Sequence, residues 1–168
     1  MKVDMIRTLY DYHFAVNRRL WDECVSPLTD EQFNQENDYS AGSVKGQVVH
    51  IMRWDEQWFH RLREIEPPPR LTPEQFPDRA AIREYWDQLE KMMREYLAEL
   101  DETRFNGTVH ISSVNWGEID LPVWQILVHV ANHATDHRAQ LLRLLDQIGA
   151  PTFEQDLMLY LWQQNNKR

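Results

Sequence analysis

Three of the chain's seven histidines fall at steps of four, His129, His133 and His137, within the stretch LPVWQILVHVANHATDHRAQLLRLLDQI over residues 121–148. On a helix, a step of four returns a side chain to within ~40° of its starting direction. Taking His137 as zero, Ile126, Val130, Leu141, Leu144 and Ile148 lie within ~40° of it, and His133 sits at about −40°. His129 falls at about −80°, on the rim of the same apolar face. Each imidazole on such a face needs hydrogen-bond partners where Val, Ile and Leu supply none. Histidines at i and i+4 are also how a helix offers two nitrogens to one metal ion. Spacing alone leaves both readings open, polar core residues or metal ligands. The metal reading requires a third ligand from elsewhere in the chain.

Several function classes are disfavoured by composition. With 18 Lys and Arg against 27 Asp and Glu, the 168 residues carry a formal net charge of −9. An acidic chain without a dense basic cluster repels a phosphate backbone, so no nucleic-acid partner is expected. No apolar run reaches the length of a membrane span, and MKVDMIRTLY has no signal-peptide core. Cys24 is the sole cysteine, which rules out an internal disulfide framework. Only 5 glycines are present, with no Gly-rich phosphate loop. A single domain over residues 1–168, without a membrane partner and of cytoplasmic location, is the expectation.

The histidine helix needs elements to pack against. Residues 3–25 place Ile6, Leu9, His13, Val16, Leu20 and Cys24 at helical spacing, with His13 and Asn17 on or beside the stripe as polar core residues or as the edge of a pocket. Pro27 ends this helix, and Thr29 with Gln32 forms a capping box for one short turn. Ser43 caps a second long helix to about Ile65, with Val44, Val48, Ile51, Trp58 and Leu62 inward and His50 on the flank near Gln47 and Trp54. Asp55 falls in the middle of that apolar arc, either as a buried ion-pair partner or as an acceptor behind a ligand imidazole. The prolines of EPPPRLTPEQFP forbid helix over 66–77 and make a long crossover. Asp78 caps a third helix to about Leu100, with Ile82, Tyr85, Trp86, Leu89, Met93, Tyr96 and Leu97 inward. TVHIS and the Asn115–Trp116–Gly117 region predict a short hairpin with His110 on the surface. Asp120 and Pro122 are expected to cap and start the fourth long helix, and Gly149 with Pro151 to stop it. A short terminal helix is predicted within 152–164, packed through Phe153, Leu157, Tyr160 and Leu161.

The fold class is therefore all-α: a four-helix bundle with long crossover connections, a short hairpin-like segment before the fourth helix and a short C-terminal helix. Bundles build metal sites from inward side chains on facing helices, so His50 is the natural third ligand for His133 and His137. Three neutral imidazoles with an open, water-filled position are the arrangement of a catalytic zinc site.

Two stretches carry a family resemblance: SAGSVKGQVVHIMRWDEQW, with His50, and HVANHATDHRAQLLRLLDQIGAP, with His133 and His137. The chain resembles the DinB/YfiT-like superfamily of metal-binding four-helix bundles, distinct from the DNA polymerase that shares the DinB name. NHxxxHRxQ is the specific part of the match, and the helix order and Pro-rich crossover extend it over nearly the whole chain. The resemblance implies a divalent metal ion, zinc or nickel, held by His50, His133 and His137 with water in the remaining positions. His129 would stand off the metal. Arg138 and Gln140 belong to the same signature, Asp55 sits where the family often has Glu, and Asp55, His129, Arg138 and Gln140 are the candidates for supporting the ligands. Ala139 stands where Gly is frequent, and Asp136 at a commonly polar or His position. The resemblance further implies a small-molecule substrate such as a low-molecular-weight thiol of the bacillithiol or mycothiol kind, with transferase or hydrolase chemistry. It also implies a homodimer, for which Val128, Ala131 and Leu142 would lie on the outer side of the fourth helix. The competing expectation is a metal-binding or stress-related protein without turnover.

Overall fold

A computed structural model describes residues 2–113 and 117–166. Helix α1 (Val3–Arg19) runs on through a wider helical turn, Leu20–Val25, closed by Ser26 N–H donating to the Trp21 carbonyl at 2.8 Å. Leu20, Trp21, Cys24 and Val25 of this turn all face inward. Helix α2 (Asp30–Asn34) is one short turn. Its start is the expected reciprocal cap, with Gln32 N–H donating to Thr29 Oγ1 at 3.1 Å and Thr29 N–H to Gln32 Oε1 at 3.0 Å.

Helix α3 (Val44–Leu62) begins where Ser43 Oγ accepts the Gly46 N–H at 3.0 Å. It ends before Ile65 because Glu64 turns into the left-handed region at φ 57°. The Pro-rich crossover, with one 3₁₀ turn at Pro73–Gln75, lies along α3. Arg53 Nε donates to the Leu71 carbonyl at 2.7 Å and Gln57 Nε2 to that of Pro68 at 2.8 Å, satisfying backbone that the prolines leave outside any helix. Helix α4 (Arg79–Glu99) starts at Asp78, whose carboxylate accepts the Ala81 N–H at 2.8 Å.

Helix α5 (Glu102–Asn106) is an element not expected from the sequence, capped by Asp101. Strands β1 (Thr108–Ser113) and β2 (Gly117–Pro122) then pair antiparallel, with His110 opposite Asp120. The hairpin expectation holds, although Asn115 and Trp116 of its turn lie outside the described residues. The start of the last long helix differs from expectation. Helix α6 (Val123–Gln147) begins after Pro122 with no side-chain cap. Asp120 is a strand residue whose carboxylate meets His110, and the Val123 N–H goes to the Gly107 carbonyl at 3.0 Å. Helix α7 (Leu157–Asn165) is capped by Asp156. Phe153, Tyr160 and Leu161 are half-buried as expected, whereas Leu157 is exposed.

The four long helices enclose one core running from Ile6, Tyr10 and Phe14 through Val48, Phe59 and Leu62 to Trp86, Met93, Leu127 and Leu141. Helix α6 packs most extensively on α3 and also on α1, and α3 packs on α4. No helix among the described residues is long and apolar enough to cross a membrane.

Candidate metal centre

Aromatic contacts between α3 and α6 set the geometry of the site. His50 faces His137 with ring centroids 4.1 Å apart, Trp54 faces His133 at 5.8 Å and Trp58 faces His129 at 5.3 Å. Advancing along α3 means retreating along α6, so the two helices are antiparallel and each turn of one meets a turn of the other. Steps of about four on both helices, 50–54–58 and 129–133–137, keep the rows in register over two turns.

One end of this ladder gathers three half-buried imidazoles. A nitrogen from each of His50, His133 and His137 lies within 4.8 Å of the other two. His50 stacks on His133 at 5.5 Å, and His133 lies 4.3 Å from His137, centroid to centroid. The Nε2 atoms of His50 and His137 approach to 3.1 Å. Two nitrogens on one ion at about 2.0–2.1 Å stand roughly 3.3 Å apart in a tetrahedral site, and roughly 2.9 Å apart at right angles in an octahedral one. The His50–His137 spacing lies between these, so this pair fits a divalent ion without selecting one, and the His133 nitrogen lies within 4.8 Å of both. His137 Nδ1 is buried with no partner among the described residues, which leaves Nε2 as the ring's working nitrogen.

The electrostatics agree with that reading. Burial, with the neighbouring imidazoles second, pushes His50 from the ordinary 6.5 down to about 4. Burial does the same to His133, again to about 4 and despite Asp55 and Asp136 pulling the other way, and it lowers His137 too. Near neutral pH the cluster is therefore uncharged, the form in which imidazole binds metal. His129 is exposed at the rim and lies outside the three-nitrogen cluster, at 5.9 Å from His133 between ring centroids.

The other candidates divide into two groups. Arg138 has no solvent exposure and Asp55 only 2%. The Arg138 guanidinium donates to Asn17 Oδ1 at 3.0 Å, Thr135 Oγ1 at 2.9 Å and Gln155 Oε1 at 2.9 Å, joining α6 to α1 and to the segment before α7. His13 Nε2 lies 3.0 Å from Asn17 Nδ2 and 3.3 Å from Asp55 Oδ2. Both His13 and Asn17 are buried, so they are polar core residues with partners rather than the edge of a pocket. The Asp55 Oδ2 atom, 3.3 Å from His13 Nε2, is buried without a hydrogen-bond partner among the described residues, and the carboxylate acts on His133 through charge alone. Gln140 accepts from Ser40 Oγ and donates to Asp136 at 3.0 Å, tying the loop before α3 to α6.

Two features were not marked from sequence as parts of the site. Trp54 and Trp58 wall the α3 side, and each indole N–H is buried without a partner among the described residues. Gln47, one turn before His50, is fully buried, and neither atom of its amide has a partner among the described residues. Its place on the wheel beside His50 was legible; its missing partners were not. Buried polar groups in this condition are commonly met by water or ligand.

A helical bundle with three convergent imidazoles on two facing helices is a scaffold that could hold a metal ion. This chain belongs to the DinB family, whose model matches residues 1–168. It is similar to the protein DinB of Bacillus subtilis (strain 168), with 24% identity over 164 residues that cover 95% of each chain. Its fold is similar to the crystal structure of a conserved protein from Enterococcus faecalis, with a TM-score of 0.59 and 16% identity, covering 86% of this chain and 96% of that one.

Proposed function

We propose that the protein is a metal-dependent enzyme of the thiol-transferase or hydrolase type, with zinc or nickel held by His50, His133 and His137. The observation that carries this reading is the convergence of three uncharged imidazoles from two helices, each with a nitrogen within 4.8 Å of the others. A divalent ion there would supply Lewis acidity, lowering the pKa of a thiol or a water molecule beside it. The chain's own part is to hold and shield. His50, His133 and His137 present neutral nitrogens from a rigid helix pair, and Trp54 restricts water on the α3 side. The Asp55 carboxylate offsets positive charge near His133. The substrate is proposed to be a small molecule, a low-molecular-weight thiol being the first to test, and the location cytoplasmic.

The chain is also proposed to pair as a homodimer. Val128 and Leu142 are half-buried against the core and Ala131 is only 4% exposed, so the outer face of α6 offers little apolar surface for this. Helix α7 offers more, with Met158 71% and Trp162 64% exposed.

The test of the enzymatic reading is transfer of a thiol to a fluorogenic electrophile by metal-loaded and chelated protein. Turnover that appears with the ion and vanishes in His133→Ala supports it. A site that binds metal tightly yet transfers to no electrophile and hydrolyses no ester points instead to a protein that stores or senses the ion.

A further inference from the structure

Beyond the imidazole cluster, the α3–α6 ladder opens into a cleft of about 220 Å³ lined by Trp58, Leu121, Gln125, Ile126 and His129. Trp58, Leu121, Gln125 and Ile126 have no ionisable group, so four of the five lining side chains are uncharged. Trp58 and Ile126, at 5% and 2% exposed, are fixed by the core, while Gln125 and His129 stand at the open side. The cleft joins the cluster through His129, whose ring lies 5.3 Å from Trp58 on one side and 5.9 Å from His133 on the other, centroid to centroid. One helical turn, about 5.4 Å of rise, separates the two.

We infer that this cleft is the specificity pocket of the site, and that it takes the apolar tail of a small molecule whose polar head sits at the three imidazoles. The inference rests on the metal-site reading above and adds the chemical class of what binds there: an uncharged tail about the size of one aromatic ring. Size supports this, because a dry cavity of about 150 Å³ already holds benzene. Chemistry supports it as well, because an indole face, a leucine and an isoleucine gain from apolar contact and offer no counter-charge to an ionic group. His129 thereby acquires a role different from its neighbours on the ladder. It is a positioning residue forming the wall between head and tail, and Gln125 is the polar group available at the mouth.

The experiment is calorimetric titration of zinc-loaded protein with acetohydroxamate, benzohydroxamate and hydrocinnamohydroxamate, which share a metal-seeking head and differ in tail. The proposal expects at least one aryl hydroxamate to bind about tenfold or more tighter than acetohydroxamate, as burying most of a phenyl ring implies. Gln125→Trp changes an exposed residue and fills the mouth. It should cut that advantage to about threefold or less and leave acetohydroxamate binding unchanged. Equal affinities along the series, or an advantage that survives Gln125→Trp, overturn the pocket and leave the metal site standing. Failure of the protein to take up zinc overturns the metal-site reading and the pocket with it, whereas zinc-loaded protein that binds no hydroxamate overturns the pocket alone.

Discussion

Arg138 is a guanidinium with no solvent exposure, set one residue after a metal-ligand candidate. Two of its hydrogen-bond partners lie 121 and 17 positions away, at Asn17 and Gln155. For that reason the sequence could mark Arg138 as part of a signature but could not say what it touches. The three imidazoles are the opposite case, because their spacing and apolar faces are local properties that a helical wheel exposes. Arg138→Met should cost about 1–3 kcal/mol in urea unfolding, since it leaves Asn17 Oδ1 and Gln155 Oε1 without their donor. Arg138→Lys should recover little, because one ammonium cannot serve three partners in a fork. A loss below about 1 kcal/mol would contradict a buried hub. His110 provides the pH-dependent case. Hydrogen bonds that its ring donates to Asp120 and Glu118, at 2.8 Å each, raise its pKa above the ordinary 6.5. A raised folded value means that the stabilisation is present in full below the unfolded value and is lost as pH rises through the folded one. An NMR titration should therefore give His110 an apparent pKa above 6.5, dropping in Asp120→Asn. The same value in both proteins would show that the pairing does not form in solution.

Capping residues announced three of the helices, α2, α3 and α4. Thr29, Ser43 and Asp78 all accept the N–H that their sequence positions imply. What escaped was decided by contacts rather than by periodicity. Helix α5 spans five residues, too few to establish a 3.6-residue repeat. The wide turn at Leu20–Val25 leaves no mark in the apolar spacing, because Leu20, Trp21, Cys24 and Val25 would share one face of a regular helix as well. Asp120 has the composition of a cap, yet strand pairing with β1 claimed it first. The start of α3 depends on a close approach. A Cβ on Gly46 would lie 2.0 Å from the Ala41 carbonyl oxygen, and the loop holding Ala41 is fastened to α6 through Ser40 and Gln140. Gly46→Ala should therefore destabilise the fold by about 1–3 kcal/mol, read as a lower urea midpoint, although alanine is the better helix former. Unchanged or higher stability would mean that the loop does not cross there.

At the scale of the molecule, the bundle was legible because four amphipathic stripes joined by a Pro-rich crossover have few other ways to bury themselves. The pairing of α3 with α6 was legible only through the chemistry, in that His50 needed His133 and His137 to make sense. How copies of the chain associate is read from exposed surface. If α7 joins two copies, sedimentation should report a dimer that Trp162→Glu converts to a monomer, and a monomer at every concentration would remove that proposal. The central claim is that His50, His133 and His137 hold one divalent ion, and metal analysis by mass spectrometry tests it most directly. Untagged protein purified without added metal, together with protein dialysed against zinc or nickel, should carry about one ion per chain, whereas His133→Ala and His137→Ala should carry little. A folded parent protein that takes up neither ion, or variants that bind as well as the parent, would contradict the account.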